Sequence, residues 1–329
     1  MVNIYNNKKF LILIFGVFLF FFAGCTSDST AREGRFGLDS FNGGNEGLVF
    51  TFDEGMPPQS IKDQGISPFN IRIKTENKGE FDVPEDSAHV RITGINPSDF
   101  NLDTVSRTFS SIFGVKKQGS SITPGGEQRV IFSNLRYNLQ VSGALDFNIN
   151  VNVCYPYQTR AVVMACFSDT IVMGNTDFLD CEIEGEKRFA HSGAPVKIEN
   201  VRQMIGGQNA IQIQFDIVHS PSRNSRGSVF APNSIDEMCN INGNSLDNFN
   251  VEKDTIHYTV DTRLDGLRCD GSDSNSGIAV LSGGRGTVFC TQDTSSVSGS
   301  YEVPIDIVLS YDYVDRISTP ITVEHVRTN

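Results

Sequence analysis

The sequence predicts an all-β protein: two tandem β-sandwich domains behind an export signal and a flexible tether. Three observations carry that prediction. Apolar and polar residues alternate in run after run, as in Phe69, Ile71 and Ile73, or Phe147, Ile149, Val151 and Val153. Period two is the mark of a half-buried strand. Turn signals such as Asn77-Lys78-Gly79, Pro124-Gly125-Gly126, Gly206-Gly207 and Gly283-Gly284 separate the runs at sandwich-like intervals. Finally, Phe147 to Tyr157 matches Val303 to Tyr313 at a constant offset of 156 residues, with Arg160 falling on Arg316.

Residues 1–24 read as a signal peptide. Lys8 and Lys9 form its basic region, and the fourteen residues from Phe10 to Ala23 form an apolar run, shorter than the roughly 20 that a membrane-spanning helix needs. The junction Phe22-Ala23-Gly24-Cys25 resembles the lipobox of prokaryotic lipoproteins, although Phe22 stands where an aliphatic residue is usual. That resemblance implies cleavage before Cys25 and a diacylglyceryl lipid on its sulfur. From Cys25 to Glu46 the chain is rich in Ser, Gly, Asp and Asn without apolar periodicity, which predicts a tether that holds a folded body off the membrane.

The first sandwich is expected over 47–170, a connector over 171–193 and the second sandwich over 194–329. Val130 and Phe132 mark another strand of the first. Ile211, Ile213, Phe215 and Ile217, then Val303, Ile305, Ile307 and Leu309, continue the alternation in the second. Helical stripes are scarce. One short turn is expected from Pro97 to Val105, capped by Ser98 and carrying Phe100 and Leu102 as a crossover between strands. The repeat lays Tyr155 on Tyr311 and Tyr157 on Tyr313, and each domain is expected to end in the same hairpin. These tyrosines are read as core residues at a strand end rather than a ligand platform.

Cysteine arithmetic extends the argument. Besides Cys25 there are six, Cys154, Cys166, Cys181, Cys239, Cys269 and Cys290, an even number in an exported chain, which favours disulfides. No pair has the two-residue spacing of a zinc or redox motif. Fifteen pairings are open. Leu267 to Cys269 and Val288 to Cys290 read as strands joined through a Gly-rich turn, which puts Cys269 with Cys290 first. Cys166 with Cys181 is next, leaving Cys154 and Cys239. Three cysteines lie on each side of residue 190, so complete intramolecular pairing requires a bridge between the halves.

Pro57-Pro58, Gly65 and the run from Pro68 through Asn77-Lys78-Gly79 resemble the opening of immunoglobulin-like domains of prokaryotic surface proteins, similar to the cell-adhesion-related domain called CARDB. The match spans about thirty residues, and a strand leading into Asn-x-Gly is also a general hairpin signal. The resemblance implies immunoglobulin-like sandwiches used for display, spacing or adhesion, without a catalytic set.

Several function classes lose support. The formal charge of −12, from 39 acidic and 27 basic residues, argues against nucleic acid, which needs clustered cations. His-Glu-x-x-His, phosphate-loop and nucleophile-elbow motifs are absent from the sequence. The five histidines are scattered, and His89, His257 and His325 read as strand or terminal residues rather than bases. Asp270, Asp273 and Asn275 could offer oxygens to Ca²⁺, but Gly284 stands where an EF-hand has its glutamate, so a solvated turn is the stronger reading. Arg223, Asn224 and Arg226 read as loop surface. Asn96-Pro97-Ser98, the one Asn-x-Ser/Thr triplet, is disqualified as a glycan acceptor by its proline.

The sequence therefore points to an extracytoplasmic protein, anchored by lipid at Cys25, that binds a protein partner or assembles with itself at the cell surface. Recognition of a glycan or small solute is the alternative, and the lack of Trp counts against it. An envelope hydrolase is a more distant one.

Overall fold

Strand forms almost wherever the alternation occurs. The computed structural model describes residues 37–168, 181–219, 227–239 and 252–326. The expected signal peptide, Cys25 and the Arg223, Asn224 and Arg226 loop lie outside the described residues. In chain order the strands are β1 (Leu48–Phe52), β2 (Ser60–Lys62), β3 (Phe69–Asn77), β4 (His89–Thr93), β5 (Ser106–Thr108), β6 (Lys116–Gln118), β7 (Ser121–Thr123), β8 (Glu127–Leu135) and β9 (Ala144–Ser168). They continue with β10 (Gly185–Glu186), β11 (Phe189–His191), β12 (Val196–Gly207), β13 (Ala210–His219) and β14 (Ser228–Phe230). A five-residue helix α1 (Ile235–Cys239) precedes β15 (Thr255–Asp261), β16 (Leu267–Cys269), β17 (Ser276–Val280), β18 (Arg285–Asp293) and β19 (Ser300–Glu324).

The chain is all-β, and its two halves meet in one sheet. β9 and β19, 25 residues each, pair antiparallel without a register shift from Ala144 opposite Glu324 to Ser168 opposite Ser300. They form the middle of a sheet ordered β17-β15-β19-β9-β4-β5, to which β11, β14 and β2 add short edge pairings. A three-stranded sheet, β1-β3-β8, and a five-stranded sheet, β10-β12-β13-β18-β16, complete the layers, and β6 and β7 make a small ribbon. The odd-numbered residues of β9 from Ile149 to Ala165 and of β19 from Ile305 to Tyr313 are all buried. Phe50 of β1 meets Tyr155 at 5.8 Å and Phe215 of β13 meets Tyr258 of β15 at 6.4 Å, so both smaller sheets close onto the large one. One hydrophobic core runs through both halves.

This corrects the expectation of tandem domains that end in hairpins. Phe36–Asn329 is a single compact unit. Tyr155-Pro156-Tyr157 and Tyr311-Asp312-Tyr313 do not turn; they run straight through the middles of β9 and β19. At 25 residues these strands exceed the usual strand of 3–10, so each begins over one half and finishes over the other. Prolines do not interrupt them because of where they fall. On the outer edge of β9, β4 stops at Cys154 and β11 starts at Ala161, and Pro156 lies in that gap. On β19, Pro304 precedes the β15 pairing and Pro320 lies between those of β14 and β2. A missing N–H is tolerated where no neighbouring strand needs it.

Two further expectations are corrected. The second part of the tether, 37–46, is fixed to the body: Phe41 is 9% exposed, its carbonyl accepts from Lys117 Nζ, and Asn42 and Gly43 donate their N–H groups to Glu80. One apolar anchor and two backbone donors suffice where no periodic pattern announces them. The 97–105 segment is the expected crossover built of turns, but with a different cap. Its cap is Asn96, whose Oδ1 accepts from both the N–H and the hydroxyl of Ser98. Phe100 and Leu102 are buried as expected for a crossover.

Candidate functional site

The internal repeat and the sheet register together define a local twofold axis. The repeat equates Tyr155 with Tyr311 and Tyr157 with Tyr313, whereas the ladder sets Tyr155 opposite Tyr313 and Tyr157 opposite Tyr311. Both hold only for two copies related by a rotation through the Pro156–Asp312 pair. The surroundings obey the same relation. His89 of β4 lies opposite Cys154, and His257 of β15 lies opposite the equivalent Ser310. The order β1-β3-β8 in the first half recurs as β12-β13-β18 in the second.

At this axis the four tyrosines form one fully buried aromatic cluster, with ring centroids 5.8 Å apart for Tyr155 and Tyr157, 5.6 Å for Tyr155 and Tyr313, and 6.3 Å for Tyr157 and Tyr311. Each hydroxyl outside Tyr155 has a visible polar neighbour. Tyr157 donates to Asn77 Oδ1 at 3.1 Å, Tyr313 Oη lies 3.2 Å from His219 Nε2, and Tyr311 Oη lies 3.1 Å from Thr159 Oγ1, which donates to the Val196 carbonyl. Asn77 and His219 end the equivalent strands β3 and β13, so the same contact is built twice with different chemistry. Burial pushes the hydroxyls of Tyr155, Tyr157 and Tyr311 far above the ordinary tyrosine range and pulls His219 below the ordinary imidazole value. All are held neutral at physiological pH, and the cluster is a packing device.

Tight backbone approach shapes its rim. At both Gly79 and Gly227 an added Cβ would overlap a tyrosine hydroxyl, Tyr157 for the first and Tyr313 for the second. The Asn-x-Gly signal marks the first of these; the second follows an insertion, and its role is invisible without the fold.

The disulfides are Cys154–Cys239, Cys166–Cys181 and Cys269–Cys290. The first ties β9 to α1 and so crosses between the halves. Met238 is buried beside it, and Phe230, Ile235 and Val314 pack around this patch. The second fixes the end of β9 to the segment before β10, and the third joins directly opposed residues of β16 and β18, with Cα atoms 3.9 Å apart. Such a set belongs to an oxidising, extracytoplasmic compartment. No helix among the described residues is long and apolar enough to cross a membrane.

The acidic loop has local work. Asp270 accepts from the Tyr258 hydroxyl at 2.5 Å and the Phe289 N–H at 3.0 Å. Asn275 donates to the Val260 carbonyl, and exposed Asp273 lies 3.6 Å from Arg268. Among the described residues no three His, Cys, Asp or Glu side chains gather as a metal-binding group.

Two polar clasps carried no sequence signal. Glu80 accepts three backbone N–H groups, from Asn42, Gly43 and Gly193, at 2.6–3.0 Å. Beside it lies a cavity of about 320 Å³ lined by Phe41, Phe81, Lys116, Lys117 and Arg160. Its cations are engaged by Asp82, the Phe41 carbonyl and Gln158 respectively. Asp63, wholly buried, accepts from His325 Nδ1 and from the N–H groups of Val141 and Val326, pinning the chain that leaves β19.

No family model matches the chain, and no curated protein matches it. Solved structures resemble it weakly. The secreted serine protease VesC from Vibrio cholerae is 12% identical, with 80% of this chain and 50% of that one covered and a TM-score of 0.17. This chain thus spans half the length of that protease. The serine-rich repeat adhesion glycoprotein Srr1 from Streptococcus agalactiae is 9% identical over 88% of this chain and 98% of that one, with a TM-score of 0.17. The collagen-binding domain of surface protein RspB from Erysipelothrix rhusiopathiae is 9% identical over 85% and 90%, with a TM-score of 0.11. At such scores these likenesses carry no argument.

Proposed function

We propose that the protein is a lipid-anchored, extracytoplasmic binding or structural component of a prokaryotic cell surface, built to present a rigid β body to a protein partner. The observation that carries this reading is the pair β9 and β19. Twenty-five paired residues amount to a ladder of roughly 80 Å through both halves, braced by a disulfide between them. A continuous sheet of this kind keeps the surfaces of the two halves in fixed relation, which suits display and spacing. The lipobox resemblance at Cys25 and the immunoglobulin-like resemblance after Pro57 support the same reading, as does the oxidising compartment implied by three disulfides.

Mass spectrometry of the protein purified from native membranes, intact and as non-reduced peptides, tests it. The expected result is a chain beginning at Cys25 with a diacylglyceryl adduct, together with protease sensitivity on intact cells. An uncleaved chain with unmodified Cys25 and free thiols overturns the proposal.

A further inference from the structure

The twofold relation exposes a difference between the halves. β8 and β18 are equivalent: Val130 lies opposite Ile73 as Val288 lies opposite Phe215, and Asn77 donates to the Gly126 carbonyl as His219 does to that of Gly284. On β18 the outer edge is occupied by β16, which pairs Leu267–Cys269 with Cys290–Gln292 and is fixed there by a disulfide. The corresponding residues of β8, Phe132 to Asn134, have no strand beside them among the described residues, and β8 is the last strand of its sheet.

Neighbouring segments delimit the open stretch. At one end Gly126 donates to the Phe113 carbonyl and Gln128 to that of Ser111; at the other Arg136 donates to the Phe100 carbonyl. Between them Arg129 to Ser133 offers about 16 Å of strand edge, ending where Asn134, at φ 62°, donates its N–H to Asn70 Oδ1. Across from it runs β5, the last strand of the large sheet on this side. The two edges enclose an open groove of about 440 Å³ lined by Thr104, Ser106, Arg107, Thr108, Arg129 and Ile131. Ile131 is 40% exposed. The charged residues of the groove are both arginines, on a chain of net charge −12. Arg107 lies 5.3 Å over the Phe132 ring, and Arg129 makes long ion pairs with Asp53 and Glu127 at 3.6 and 3.7 Å, carboxylates that have nearer cations in Arg72 and Lys74.

We propose that the free edge of β8 is a strand-addition site that takes an extended, acidic segment of a partner protein as the fourth strand of the β1-β3-β8 sheet. Backbone pairing supplies the affinity, and Arg107 and Arg129 select for carboxylates on the incoming strand. A second copy of this chain is the poorer occupant, since β8 against β8 would bring two arginine pairs together. The inference rests on the reading of the body as a binding module and names the class of partner it takes.

The test uses the full chain in detergent and three fluorescent peptides: Glu-Val-Glu-Thr-Glu-Val-Glu, its Lys-for-Glu counterpart, and the acidic peptide N-methylated at alternate amides. The acidic peptide is expected to bind saturably, at least tenfold tighter than the Lys peptide, and to slow amide exchange over 129–133. N-methylation should abolish binding, because it removes ladder donors. Arg107→Glu with Arg129→Glu should reverse the preference, while Arg268→Glu on covered β16 should leave it unchanged; unfolding midpoints confirm that each variant is folded. Equal binding of acidic and Lys peptides, retained binding after N-methylation, no saturable binding, or concentration-dependent dimerisation through β8 would each overturn the proposal. None of these outcomes alters the mass at Cys25, so failure here is distinguishable from failure of the surface-anchor reading.

Discussion

Removing Cys154–Cys239 by alanine at both positions tests the shared sheet and the disulfide framework together. The bridge spans 85 residues, and the enclosed 15-residue loop of Cys166–Cys181 shortens the effective loop to roughly 70. In the loop-closure treatment this corresponds to about 4.4 kcal/mol of stabilisation at 25 °C, against about 3.3 for Cys269–Cys290 and about 3.0 for Cys166–Cys181. Five of these six cysteines are buried to a similar degree, so the cost of truncating the side chains largely cancels from the ranking. Urea unfolding of the three double-alanine variants, followed by near-ultraviolet and far-ultraviolet circular dichroism, should place them in that order. A second expectation is more discriminating. Because β9 and β19 pair along their whole length, the variant lacking the bridge between the halves should still unfold in one transition, with both probes coincident. Two separated transitions would show that the halves fold independently, and a larger loss for Cys166–Cys181 than for Cys154–Cys239 would refute the loop argument.

Further outcomes follow from the polar contacts. Tyr157→Phe leaves Asn77 Oδ1 without one of its donors and should cost about 1 kcal/mol in chemical unfolding, with no change in fold by circular dichroism. Gly79→Ala drives a Cβ into the Tyr157 hydroxyl and the Gly193 carbonyl, and should destabilise by more than Tyr157→Phe does; the double variant should recover part of that loss. Burial pushes the Asp63 carboxyl up, but the His325 hydrogen bond and the N–H groups of Val141 and Val326 outweigh it and hold the group below the ordinary aspartate value of 3.8. Its contribution is therefore fully present above that value and lost as pH falls through the lower folded one. Asp63→Asn should flatten the acid limb of the stability profile below about pH 4, measured by urea midpoints across pH.

Much of the fold was legible because strand burial writes period two into the sequence. Ile211, Ile213, Phe215 and Ile217 are buried in β13, as the alternation requires. The repeat was legible too, but its meaning was not. Tyr-Pro-Tyr reads locally as a turn, and only the neighbouring strands reveal that Pro156 falls where no N–H is needed. The docking of Phe41 and the three donors on Glu80 lack a periodic signature, since a single side chain and scattered backbone groups make no pattern. His219 could have been noticed, since it ends β13 as Asn77 ends β3, yet the two residues share no chemistry that a sequence comparison would align.

The twofold ladder also says what a shorter ancestor would have been. A polypeptide with one copy of the repeat would carry a strand of 25 residues whose inner edge is unpaired, and the closure open to it is pairing with the same strand of an identical chain. In its architecture the present molecule corresponds to such a pair carried on one chain. On one chain the two copies need not be identical: Cys154 pairs with Cys239 where its counterpart is Ser310, and β16 covers the edge of β18 while the equivalent edge of β8 has no strand beside it among the described residues.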